Sequence, residues 1–317
     1  MTKPTRYVVV GGFAVLALGL VAAGVAYVEG RLPAFARAQG VPAELRYFPA
    51  NATMLAFADV HGVMASELSQ RLREVSPKAD SEREFESRTG IDIEEDIDKI
   101  IACLVPGTED LEGLMIATGR FESQRLEALA REHGGVIEDY LGVRLVTHPT
   151  GHREVAMAFL EPGVVALGST ASVRRAIDTP DVGDVTSNER LMGLMREVQS
   201  GSNAWLIARM DDPVSLAWLP EAFRSQVPSM EVFALDGRVT DSGGVSGQIT
   251  AEARDEQAGQ DLGDVVQGFL ALVRMQGDLQ PGFAGMLDGL QLTRVGRRVT
   301  LRFDLSPDTL GVAMPQR

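Results

Sequence analysis

"NATMLAFAD", Asn51–Asp59, is a short apolar run that follows the turn-forming "PAN" of residues 49–51. Apolar runs bounded in this way read as strands. The run has an echo in "NAWLIARMD", Asn203–Asp211: both begin Asn-Ala, both place Ala sixth and both place Asp ninth. Each is followed by a stretch of helical character. After the first, Met64, Leu68, Leu72 and Val75 recur every three or four residues, the spacing of one helix face. "KIIACLV" (99–105) and "GLMIATG" (113–119) then read as two strands, and "SQRLEALAREHGG" as a helix ended by Gly134 and Gly135. A hairpin turning near Gly142 follows, then a second over residues 154–168 with its turn at "EPG". A helix capped by Ser169 or Thr170 carries Val173, Ala176 and Ile177, and "ERLMGLMREV" reads as another. After the second run come strands in "MEVFALDGRV" and "GGVSGQITAEA" and a long helix with Leu262, Val265, Val266, Phe269 and Val273 on one side. The hairpin "LQLTRVGRRVTLRFDL" (290–305) turns at Gly296. The order of elements recurs, which predicts a duplicated α+β fold of antiparallel sheets covered by helices, with halves at 46–200 and 201–317.

The 317 residues are 45% apolar and 23% charged, the make-up of an ordinary folded chain. With 44 acids against 30 bases the formal charge is −14, which repels nucleic acid and argues against a polyanion-binding role. Lysine occurs only at Lys3, Lys78 and Lys99. A single cysteine, Cys103, makes no internal disulfide. Its apolar setting in "KIIACLV" reads as a buried structural thiol.

Tyr7 to Val28, "YVVVGGFAVLALGLVAAGVAYV", carries no charge. As a helix it would be about 33 Å long, enough to cross the hydrocarbon core of a bilayer. The run exceeds the apolar region of a cleaved signal peptide, so it reads as an uncleaved membrane anchor between Tyr7 and Val28. Residues 1–6, with Lys3 and Arg6, read as a cytoplasmic tail, and 29–45, with Pro33, Gly40 and Pro42, as a linker. The expected placement is single-pass in a bacterial inner membrane, with the main domain on the periplasmic side.

"RTGIDIEEDIDKI", Arg88–Ile100, packs Asp92, Glu94, Glu95, Asp96 and Asp98 together. Gly90 suits the C-terminal cap of the preceding helix. Asp92 stands at the N-cap of the next, with Glu95 completing a capping box. The run lacks the glycine and final carboxylate of an EF-hand loop. Together with "LRYFPANATMLAFADV" and the N-terminal apolar run, "FESRTGIDIEEDIDKI" resembles an uncharacterised bacterial family of membrane-anchored extracytoplasmic domains of unknown function. The resemblance spans most of residues 45–305. It implies an extracytoplasmic, membrane-tethered location and supplies no catalytic residues.

The chain contains no nucleophile elbow, phosphate loop, dinucleotide fingerprint or zinc-protease signature. The nearest approach to a metal site is "HPTGH", His148 and His152 in a strand-to-strand turn, two imidazoles where zinc wants three or four ligands. Asp59 reads as the cap of the helix that contains His61. His133 falls in the last turn of its helix, where a cation suits the dipole. Met192 and Met195 read as core. No cofactor is expected. The reading is a non-catalytic, single-pass envelope protein that binds or organises a partner. Two alternatives stay open: a carrier of an apolar ligand, and an envelope hydrolase whose residues, such as Asp59, His61, His148 and His152, meet only in three dimensions.

Overall fold

The computed structural model describes residues 42–70, 80–106, 111–150, 153–198, 200–210, 230–277 and 287–313. Twelve strands among them form one antiparallel sheet. They are β1 (Met54–Asp59), β2 (Ile97–Pro106), β3 (Leu111–Gly119), β4 (Val136–Tyr140), β5 (Val143–Thr150), β6 (Arg153–Glu161), β7 (Val164–Ser169), β8 (Ala204–Arg209), β9 (Met230–Val239), β10 (Val245–Ala253), β11 (Leu290–Val295) and β12 (Arg298–Leu305). Helices α1 (Val60–Met64), α2 (Asp80–Thr89), α3 (Ile93–Asp96), α4 (Ser123–Glu132), α5 (Thr170–Val182), α6 (Glu189–Glu197), α7 (Glu256–Gly277) and α8 (Pro307–Ala313) connect and cover them. The fold class is therefore α+β.

The strands lie in the order β11-β12-β10-β9-β8-β1-β2-β3-β7-β6-β5-β4. The two Asn-Ala runs are the central neighbours: β1 and β8 pair antiparallel, with Phe57 opposite Trp205 and their rings stacked at 5.5 Å. Outward from β1 come β2, β3 and the β6–β7 hairpin. Outward from β8 come β9, β10 and the β11–β12 hairpin. The first flank carries one more hairpin, β4–β5, at its edge.

Strands in a sheet covered on both faces are apolar at every position rather than at alternate ones. β1 is apolar on both sides: Leu55 and Phe57 are buried on one, and Met54, Ala56 and Ala58 are half-buried on the other. On the first face Leu55, Ile101, Cys103, Leu114 and Ile116 meet Val173 and Ala176 of α5, Leu191 and Leu194 of α6, and the short turn that holds Leu45, Tyr47 and Phe48. Burying one such side chain fully contributes about 1.5–3 kcal/mol. On the opposite face α7 lays Leu262, Val266, Phe269 and Leu270 over Ile249, Val299, Leu301 and Leu292. Val265, expected on that side, is 52% exposed, and Leu270 takes part instead. At 100° per residue Val265 falls about a quarter turn from the centre of the stripe. The side chain of Val273 lies outside the described residues.

The helix expected over Met64–Val75 is broken. α1 ends at Met64, residues 67–70 are helical again, and 71–79 lie outside the described residues. The acid run is shorter in helix than expected: α3 is a single turn and β2 starts at Ile97. The anchor at 7–28, with the tail before it and most of the linker after it, lies outside the described residues. Among the described residues no helix is long and apolar enough to cross a membrane.

Candidate binding surface

One lateral row of paired residues runs across the sheet on the α7 face. From Ala56 it passes through Ala102, Met115, Leu167, Met157 and Val146 to Ile137 at the β4 edge. In the other direction it passes through Leu206, Leu235, Ile249 and Leu301 to Leu292 at the β11 edge. Every strand contributes an apolar side chain, because residues two apart share a face and the registers align. Leu235, Leu301 and Val146 are buried, whereas Ala56, Ala102, Met115, Leu167, Met157 and Leu206 in the middle are half-buried. The next rows on the same face add Met54, Leu104, Ala58, Ile100 and Phe159, also half-buried. The result is an apolar strip between α4, which lies over β4 and β5, and α7.

The row directly behind it contrasts with this one. From Phe57 it is apolar through Ile101, Ile116, Ala166, Ala158 and Leu145. On the other side Trp205 is followed by Asp236, Gln248, Arg302 and Gln291. The far flank is thus greasy on one face and polar on the other. Asp236, only 3% exposed, sits at the boundary. Its carboxylate accepts from Ser202 Oγ at 3.2 Å and from Gln248 Nε2 at 3.0 Å. Sequence reasoning missed this buried acid; the available signal was a lone carboxylate inside the apolar strand "MEVFALDGRV".

The polar residues singled out by sequence are distributed over the fold. Gly90, at φ 72°, donates its N–H to Glu86 O at 2.7 Å and ends α2. Asp92 Oδ1 accepts from Glu94 N–H at 2.8 Å. The reciprocal bond to the Asp92 N–H comes from Asp96 Oδ2 at 2.9 Å, not from Glu95. In a one-turn helix the residue four places on lies beneath the cap, and Arg120 holds Asp96 there through both its side chain and its backbone N–H. Asp59 Oδ1 accepts from Gly62 N–H at 3.3 Å and caps α1, which carries an exposed His61.

His148 lies in β5 and its Nε2 donates to His133 O at 2.8 Å, which ties the end of α4 to the sheet. His152 lies outside the described residues. Among the described residues no group of three or more His, Cys, Asp or Glu stands where it could hold a metal ion. His133 closes the end of α4: Nδ1 donates to Leu129 O at 2.9 Å, and Nε2 accepts from Arg88 at 2.9 Å. Four strands separate β1 from β5 in the sheet, roughly 24 Å at normal strand spacing, so Asp59 and His148 do not converge. Cys103 is 2% exposed, and burial pushes its thiol up to about 12. Met192 and Met195 pack against the main core.

No protein-family model matches the chain, and no curated protein matches it. Among solved structures, crystal form III of TP0453 superposes with a TM-score of 0.51 at 10% identity, over 86% of this chain and 97% of that one. Crystal form I of TP0453 gives 0.49 at 10% identity over the same shares. Likeness at this identity is a shared fold and nothing more.

Proposed function

We propose that this chain is a non-catalytic, membrane-tethered envelope protein that works by binding, and that the half-buried apolar strip takes an apolar ligand, an acyl chain or similar. The observation that carries the reading is the strip itself. Ala56, Ala58 and Ala102 form a low centre, and Met115, Met157 and Leu167 border it. Small side chains leave room for a narrow apolar guest, and unbranched methionines repack around guests of different shape. In this reading Tyr7–Val28 anchors the chain in the inner membrane and the sheet stands on the periplasmic side. The two flanks are copies of one unit joined at β1 and β8, with residues 46–200 and 201–317 as the copies. The test is photocrosslinking of a diazirine-bearing fatty acid to the full-length protein in lipid nanodiscs. Crosslinked peptides from β3 and β7 are expected, and an Ala102→Arg variant loses them. Crosslinks confined to residues 7–28, or unchanged in the variant, would refute the ligand. Protease protection of residues 42–317 in intact cells, lost in spheroplasts, tests the placement.

A further inference from the structure

One contact between α2 and α4 runs through an imidazole that can accept from its partner in one protonation state only. Arg88 can only donate and the Leu129 carbonyl can only accept. Nδ1 of His133 therefore carries the proton toward Leu129 O, and Nε2 offers its lone pair to Arg88, each at 2.9 Å. A proton added at Nε2 sets N–H against N–H and cation against cation. We propose that the Arg88–His133 contact is a pH-sensitive clasp that holds the end of α2 on α4 in neutral solution and releases it in acid.

Other groups stand around the ring. From β5, the Nε2–H of His148 donates to the His133 backbone carbonyl, a bond that survives protonation of either ring. From α4, Arg125 lies against Gly90 at the end of α2, so close that a Cβ on that glycine would overlap its guanidinium. This adds a second positive group at the junction. Further back on α4 the Glu127 carboxylate is held by Arg131 and Arg144. α2 itself also carries Asp80, Glu82, Arg83, Glu84 and Glu86 in its sequence, and Glu132 directly precedes the ring on α4. The helix dipole at the end of α4 favours a cation, but Arg88 already occupies that position.

Spin labels at Ser87→Cys on α2 and Ala128→Cys on α4 in the full-length protein, read by double electron–electron resonance, test the clasp. Buried Cys103 does not compete for label. The expected result is one narrow distance at about pH 8 and a distribution at least about twofold broader at about pH 5. His133→Gln, an acceptor that does not titrate there, stays narrow at both. Arg88→Ala is broad at both. An unchanged distribution in the parent, or equal broadening in His133→Gln, overturns the proposal.

Discussion

Leu55 of β1 and Ile207 of β8 face each other across the middle of the sheet, and each is the fifth residue of its Asn-Ala run. A local two-fold axis between two like strands puts like residue opposite like. The flanking pairs obey the same rule: Met54 faces Ala208 and Ala56 faces Leu206, so each pair becomes the other when the runs are exchanged. Both central side chains are fully buried. Leu55→Ala and Ile207→Ala should each cost about 2–5 kcal/mol, similar in size, from lost transfer energy and the cavity left behind. Because the two residues are neighbours, the double variant should depart from the sum of the singles. Urea midpoints of the four proteins check this; a cost below about 1 kcal/mol for either single variant contradicts the central placement.

Two glycines should respond to alanine with opposite sign. A Cβ on Gly247 in β10 would lie 2.1 Å from Asp236 O and 2.6 Å from the Phe303 ring. Backbone and a packed aromatic cannot both move aside, so Gly247→Ala should destabilise by about 1–3 kcal/mol or more. Gly268, exposed on α7, has nothing within 4 Å. There alanine removes backbone freedom from the unfolded chain and should stabilise by up to about 1 kcal/mol. Thermal unfolding of both variants against the parent decides the signs.

Why the sequence was legible in some places and not in others follows from the range of each signal. The strand of Met54–Asp59, the hairpin turns at Gly142, Gly163 and Gly296, and the caps at Ser169 and Gly90 depend on local chemistry, and the structure has them. Which strands adjoin is a long-range matter. The pairing of β1 with β8 was visible only as two similar runs, with no sign that they touch. The apolar strip is likewise spread over many strands, each contributing one or two residues, so no window of sequence contains it. Asp96 displaced Glu95 because the helix stopped after one turn, and α3 stopped because β2 pairs with β3 from Ile97 on and with β1 from Lys99 on.

The Cys103 thiol should be inert in the folded protein. Burial in an apolar layer penalises the thiolate and raises the thiol to about 12, against which an N–H or guanidinium nearby does little. Since the thiolate is the reactive form, modification by an aromatic disulfide reagent at about pH 8 should run at least about a hundredfold slower than for an exposed cysteine of ordinary pKa near 8.5. In urea the rate should rise to that of a free thiol. Rapid native-state modification at low protein turnover would place Cys103 at the surface.

Asp255 supplies a pH-dependent part of the stability at the start of α7. Its Oδ1 accepts the Ala258 N–H at 2.8 Å, and this bond, with a lesser contribution from the Arg254 guanidinium, holds the carboxyl below the usual range. The fold therefore favours the ionised form. Its contribution is complete above the unfolded carboxylate pKa and is lost as pH falls through the lower folded value. Asp255→Asn keeps a capping oxygen but does not titrate. The parent should have the higher Tm at about pH 7, and the gap should close as pH falls toward about 3, below the ordinary aspartate value. Scanning calorimetry of both proteins across that range measures the gap. A constant difference from neutral to acid would mean that Asp255 stabilises α7 by geometry alone, without its charge.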